Sequence, residues 1–92
     1  MLILYKPPFK KFVKKQTRSF QLVIEDEVVI QNPLAGEGKK GDLTGFRIHR
    51  FSYQGQKFLL SYVIRTEEIV FFTIGSHENF YRELKKYLKE VD

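Results

Sequence analysis

The stretch FRIHRFSYQGQKFLLSYVIRTEEIVFFTI, running from Phe46 to Ile74, decides the fold. Phe46 to Tyr53 alternates, which sets Phe46, Ile48 and Arg50 on one face and Arg47, His49 and Phe51 on the other. Alternation of this kind is the mark of a strand with two unlike faces. Gln54-Gly55-Gln56 reads as a turn, and Lys57 to Arg65 is apolar and aromatic, as a central strand should be. Thr66-Glu67-Glu68 turns the chain again, and Ile69 to Ile74 is nearly continuous in hydrophobic residues. Three strands joined by short turns make an antiparallel meander.

Downstream, Gly75 breaks the last strand, and Ser76 is placed to cap a helix with Glu78 in its first turn. Phe80, Leu84, Leu88 and Val91 then form one apolar stripe, with Tyr87 beside it and Lys85, Lys86 and Lys89 outside. Upstream, Leu2 to Tyr5 suits a short strand. Pro7-Pro8 suits the first turn of a helix, because the missing N–H groups would find no partner there in any case. Phe9, Phe12 and Val13 give a helix from Phe9 to Arg18 a narrow apolar face under a basic outer one.

Phe20 to Gln31 pulls two ways. Phe20, Ile24 and Val28 fall on one helical face, while Val23, Ile24, Val28, Val29 and Ile30 are β-branched and favour strand. The successive charges Glu25-Asp26-Glu27 would be resisted by a half-buried strand. The reading is a helix, capped by Thr17 or Ser19 and ended by Asn32-Pro33. Leu34 to Thr44 is a glycine-bearing loop carrying Lys39 and Lys40. The expected architecture is a single α+β domain over residues 1–92. A small antiparallel sheet, the N-terminal strand plus the meander, carries two N-terminal helices and a C-terminal helix packed on one face.

Composition bounds the function. The chain has 92 residues, 42% hydrophobic and 29% charged, which suits one folded core and excludes a disordered polyelectrolyte. With no cysteine, disulfides, cysteine-ligated zinc and thiol catalysis are excluded. The short apolar start precedes Lys6 instead of following a basic segment. It therefore does not read as a secretory signal, and a cytoplasmic protein without membrane contact is expected. The formal net charge of +5 asks for an acidic partner.

That charge is unevenly spread. Lys6, Lys10, Lys11, Lys14, Lys15 and Arg18 come with no acid between them. Lys39, Lys40, Arg47, Arg50, Lys57 and Arg65 have only Asp42 among them. Lysines on a helix are often just a solvated face, but two basic zones could also merge into a surface for a phosphate backbone. His49 and His77 are the only histidines, too few for a zinc site, and no phosphate-binding glycine loop or nucleophile elbow is present. No metal and no cofactor are expected. His77, Glu78, Tyr81 and Arg82 crowd one strand-to-helix junction, with His77 and Tyr81, and Glu78 and Arg82, spaced as i, i+4 neighbours of a helix.

KGDLTGFRIHRF from Lys40 to Phe51, LLSY from Leu59 to Tyr62 and IGSHENFYR from Ile74 to Arg82 resemble the RelE/ParE family of bacterial type II toxins. The resemblance covers essentially the whole chain and is strongest from Lys39 to Leu88. It implies a toxin neutralised by an acidic or partly disordered antitoxin, a monomer that joins a hetero-oligomer with it. In the RelE branch it implies an endoribonuclease that cuts mRNA on the ribosome. In the ParE branch it implies a poison of DNA gyrase that cuts no RNA, and the fold does not separate the two. The positions matching the family's site are Lys40, Arg47, Arg50, Arg65, His77, Tyr81 and Arg82. His77 departs from several relatives, which carry Arg there.

On the ribonuclease reading, Arg47, Arg50 and Arg82 stabilise charge at phosphorus, and His77 gives or takes a proton. Tyr81 stacks on or orients the scissile nucleotide, and Glu78 sets the charge of His77 or is itself the base. Lys39 and Lys40, with Lys10, Lys11, Lys14, Lys15 and Arg65, hold RNA or ribosome backbone.

Overall fold

The computed structural model describes residues 2–28, 37–38 and 45–91. In chain order it has β1 (Leu2–Tyr5), α1 (Pro7–Lys14), α2 (Arg18–Glu27), β2 (Glu37–Gly38), β3 (Arg47–Tyr53), β4 (Gln56–Arg65), β5 (Glu68–Ser76) and α3 (Phe80–Val91). The strands form one sheet in the order β1-β5-β4-β3-β2.

The meander is antiparallel as expected, with Arg50 opposite Leu59 and Leu60 opposite Ile74. Two features of the sheet differ from expectation. First, β1 runs parallel to β5, pairing Leu2 with Glu68 and Tyr5 with Phe71, so the sheet is mixed and not antiparallel. A four-residue strand carries no signal for the direction of its partner. Second, Glu37–Gly38, read as loop, pairs with Ile48 and Arg47 at the far edge. Lys39 and Lys40 lie outside the described residues.

Both helices of the N-terminal half form, but the first runs from Pro7 to Lys14 and stops short of the expected Arg18, which opens the second helix because Thr17 caps it. Pro7 and Pro8 occupy the first turn of α1, with Phe9 turned into the core. Thr17 caps α2 by accepting a hydrogen bond from the Phe20 N–H at 3.2 Å. Gln21 closes the corner between the helices, its Nε2 donating to the Val13 carbonyl at 2.9 Å and the Gln16 carbonyl at 3.2 Å. The apolar stripe of Phe20, Ile24 and Val28 is buried, which outweighs the strand preference of the β-branched residues. The α-helix ends at Glu27, and Val29 to Gln31 lie outside the described residues.

The strand alternation separates two cores. Phe51, Phe58, Leu60, Tyr62, Phe71 and Ile74 meet Phe9 of α1, Phe20 and Ile24 of α2, and Val28 just after it. Phe46, Ile48 and Leu59 meet Phe80 and Leu84 of α3. The C-terminal helix therefore covers the opposite face of the sheet from α1 and α2, and the helices do not share one face. The reason is in the sequence. The central strand is apolar at consecutive positions, Phe58 to Leu60, and so needs cover on both faces.

A bulge at Ser61/Tyr62 interrupts the β4–β5 register. Ser61 Oγ lies 2.6 Å from Thr73 Oγ1 and accepts the Thr73 N–H at 3.0 Å, both side chains being buried. Ser61→Ala leaves that buried N–H without its acceptor and is expected to cost about 1–3 kcal/mol in denaturant unfolding.

Among the described residues, the β3–β4 turn holds the one residue other than glycine with a positive φ. Gln54 has φ 50° and Gly55 φ 77°, both positive, as a two-residue turn matched to strand twist requires. An L-residue pays steric cost there, and Gln54→Gly is expected to raise stability by roughly 0.5–1 kcal/mol by calorimetry.

Candidate functional site

The ladder that orders the meander also assembles a site. Arg50, Leu59 and Gly75 form one row across three strands. Ser52 and Lys57 form the next, and the His77 N–H extends it by donating to the Lys57 carbonyl at 3.2 Å. Residues two apart on a strand share a face, so Arg50, Ser52, Lys57 and His77 all rise on the face that α3 covers farther along. Gly75 contributes no side chain to its row, and the Phe80 ring at the start of α3 lies beside it, 4.0 Å from where a Cβ would stand. The result is a groove of about 710 Å³ lined by Arg50, Ser52, Gln56, Lys57, Leu59, Ser76, His77 and Glu78. Arg50, Lys57, His77 and Glu78 are exposed. Two cations, an imidazole and a carboxylate thus border one apolar-floored cleft, a composition suited to a phosphodiester and to proton transfer beside it.

The junction after β5 differs from the sequence reading. Ser76 is the last residue of β5, paired with Phe58, and does not cap a helix. Residues 77–79 form a turn and α3 begins at Phe80. His77 and Glu78 therefore precede the helix, and the expected i, i+4 pairings with Tyr81 and Arg82 do not arise. Pairing with β4 won over a local capping signal. Arg82 instead donates to Asn79 Oδ1 at 2.8 Å. Tyr81 packs against the second core, its ring 5.2 Å from that of Phe80 in an edge-to-face arrangement.

The other sequence candidates lie elsewhere. Arg47 is opposite Tyr62, on the face covered by α1 and α2, so the sheet separates it from Arg50. Arg65 ends β4 and meets Glu68 at 3.4 Å. Eight residues of strand put it roughly 26 Å from Lys57. Lys10 and Lys14 flank a cleft of about 370 Å³ floored by Tyr5, Phe9, Val13, Ile24 and Val28. Burial, with Glu25 nearby, pushes the Tyr5 hydroxyl above its ordinary pKa. Lys11 and Lys15 flank a separate cleft beside Glu83 and Tyr87. His49 Nε2 sits 3.4 Å from Glu27 Oε1, tying α2 to β3, so this histidine has a structural contact.

The site includes Ser52, which the sequence reading did not single out, and Lys57, which it placed only in the wider basic zone. Their signal was present, because a two-residue turn at Gln54-Gly55 puts Lys57 directly opposite Ser52 and one step from Arg50 on the same face. Among the described residues no group of three or more His, Asp or Glu side chains is arranged to hold a metal, and no helix is long and apolar enough to cross a membrane.

The mixed sheet, with helices on both faces and a groove bordered by Arg50, Lys57, His77 and Glu78 at one end, defines an α+β protein. Residues 3–85 match the ParE-like toxins of type II bacterial toxin-antitoxin systems, and the chain belongs to that family. It is accordingly the toxin member of such a pair, with an antitoxin as its partner. The solution structure of the conserved hypothetical protein HP0894 from Helicobacter pylori has the same fold. It aligns with a TM-score of 0.58 at 20% identity, over 84% of this chain and 94% of that one. Comparison with curated protein sequences finds no match.

Proposed function

We propose that this toxin is an endoribonuclease that needs no metal, acts on mRNA at the ribosome in the cytoplasm, and works through the Arg50/Lys57/His77/Glu78 groove. The observation that carries the reading is the convergence of those four side chains on one cleft. In the proposed reaction the ribose 2′-oxygen attacks phosphorus as its proton passes to a base. The bond from phosphorus to the 5′-oxygen breaks, and an acid protonates the departing oxygen, leaving a 2′,3′-cyclic phosphate and a 5′-hydroxyl. Glu78 and His77, adjacent in the turn, supply the base and the acid. Arg50 and Lys57 neutralise the charge that builds at phosphorus. Arg47, Tyr81 and Arg82 have no direct part in this scheme. Lys10, Lys11 and Lys14 of α1, with Lys15 at its C-terminal end, lie outside the groove and suit contacts to ribosomal RNA backbone while the message occupies the cleft.

A second reading, a gyrase poison that binds protein and cuts no RNA, is favoured by the family's ParE-like description. The test is a purified translating extract with the 5′ ends of its mRNA mapped. New 5′-hydroxyl ends on addition of the toxin support the ribonuclease. Intact mRNA together with trapped gyrase–DNA complexes supports the second reading.

A further inference from the structure

We infer that the toxin carries a base-reading pocket on the far side of the β3–β4 turn, formed by Tyr53, Gln54 and Gln56 with Gln16, Thr17 and Ser19, which takes an unpaired adenine flanking the cut. The inference rests on the ribonuclease reading and extends it from the phosphate to the base.

A cleft of about 460 Å³ lies between the α1–α2 corner and the β3–β4 turn. None of its lining residues is charged, unlike the groove across the turn, so its preferred ligand is a neutral hydrogen-bonding group and not a phosphate. Its wall is aromatic as well as polar. The Tyr53 ring stacks on Phe20 at 4.3 Å between centroids and 10° between planes, which holds the tyrosine beside Gln54 and Gln56, while the Gln16 amide on the opposite wall donates to the Phe12 carbonyl at 3.1 Å. A fixed ring beside amide groups is the usual means of holding a splayed single-stranded base. A glutamine amide offers a neighbouring donor and acceptor that match adenine's amino group and ring nitrogen.

The turn itself supplies the second argument. Gln54 adopts φ 50° where glycine or asparagine would sit with less strain, and its side chain is exposed. Among the described residues no hydrogen bond takes up the amides of Gln54 or Gln56. The positive φ serves the turn, whereas the two exposed amides serve nothing within the fold and are available to a ligand. Gln56 also lines the cationic groove, so the two clefts meet at this turn. A strand passing over Gly55 would leave a phosphate beside Lys57 and turn the adjoining base toward Tyr53.

The test uses the full chain and its Gln54→Gly variant, which relieves backbone strain and so folds at least as well. Binding of oligoadenylate and oligouridylate is measured by fluorescence anisotropy, and cut sites are mapped on a mixed-sequence transcript. The wild type is expected to bind oligoadenylate about tenfold more tightly and to show adenine enriched at one position beside the cut, both preferences being lost in the variant. Equal affinities in the wild type, or a preference that survives Gln54→Gly, would overturn the pocket. If the wild type prefers oligoadenylate, loses that preference in the variant and cuts nothing, the pocket stands and the ribonuclease reading falls.

Discussion

His77→Ala is expected to slow mRNA cleavage by roughly 10²- to 10⁴-fold, the usual contribution of one positioned acid or base. The residue is exposed, and the contact that anchors it is its backbone N–H to the Lys57 carbonyl, which alanine keeps. The variant should therefore retain its circular dichroism spectrum and melting temperature and still bind its antitoxin. His77→Gln, which keeps a hydrogen-bonding side chain but does not shuttle protons at neutrality, should be nearly as slow. Cleavage at the wild-type rate by either variant would remove His77 from the chemistry and leave the groove as a binding surface only.

Phe71→Ala should have the largest effect on folding. Phe71 is fully buried in the central part of β5, with the rings of Phe9, Tyr62 and Tyr5 at 5.6, 5.7 and 5.9 Å. It is where β1, α1 and β4 meet, since it also pairs with Tyr5 across the parallel ladder. Removing such a ring costs about 3–5 kcal/mol, with the upper end favoured where the surrounding rings are too stiff to close the cavity. A domain of this size has roughly 5–15 kcal/mol in all. The variant should unfold at much lower urea concentration. A loss under about 1 kcal/mol would contradict the packing described for this face.

Much of this architecture was legible in the chain, and the failures have physical causes. The alternation of β3 correctly put Arg47 and Arg50 on opposite faces, and the buried stripe of α2 prevailed over its β-branched residues. The same alternation already argued against a site using both arginines, since a sheet lies between them. What a single sequence does not carry is pairing over distance. The direction of β1 depends on Phe71 and its neighbours more than sixty residues away. The start of α3 depends on Phe58, which keeps Ser76 in the sheet despite its fitness as a cap. That shift of the helix start by one turn changes the site most, because it detaches His77 and Glu78 from Tyr81 and Arg82 and returns them to the strands. Lys57 joins them through the local hairpin, whose two-residue turn sets it opposite Ser52.

The central claim is that the groove at the end of the meander cuts RNA. It is tested most directly by inducing the wild-type toxin and its Arg50→Ala/His77→Ala variant in a bacterium, then mapping RNA 5′ ends and gyrase–DNA cleavage complexes in the same cultures. The account predicts new mRNA ends within the coding regions for the wild type, none for the variant, and no gyrase complexes in either. Gyrase complexes without new RNA ends, or equal RNA cutting by the variant, would contradict it.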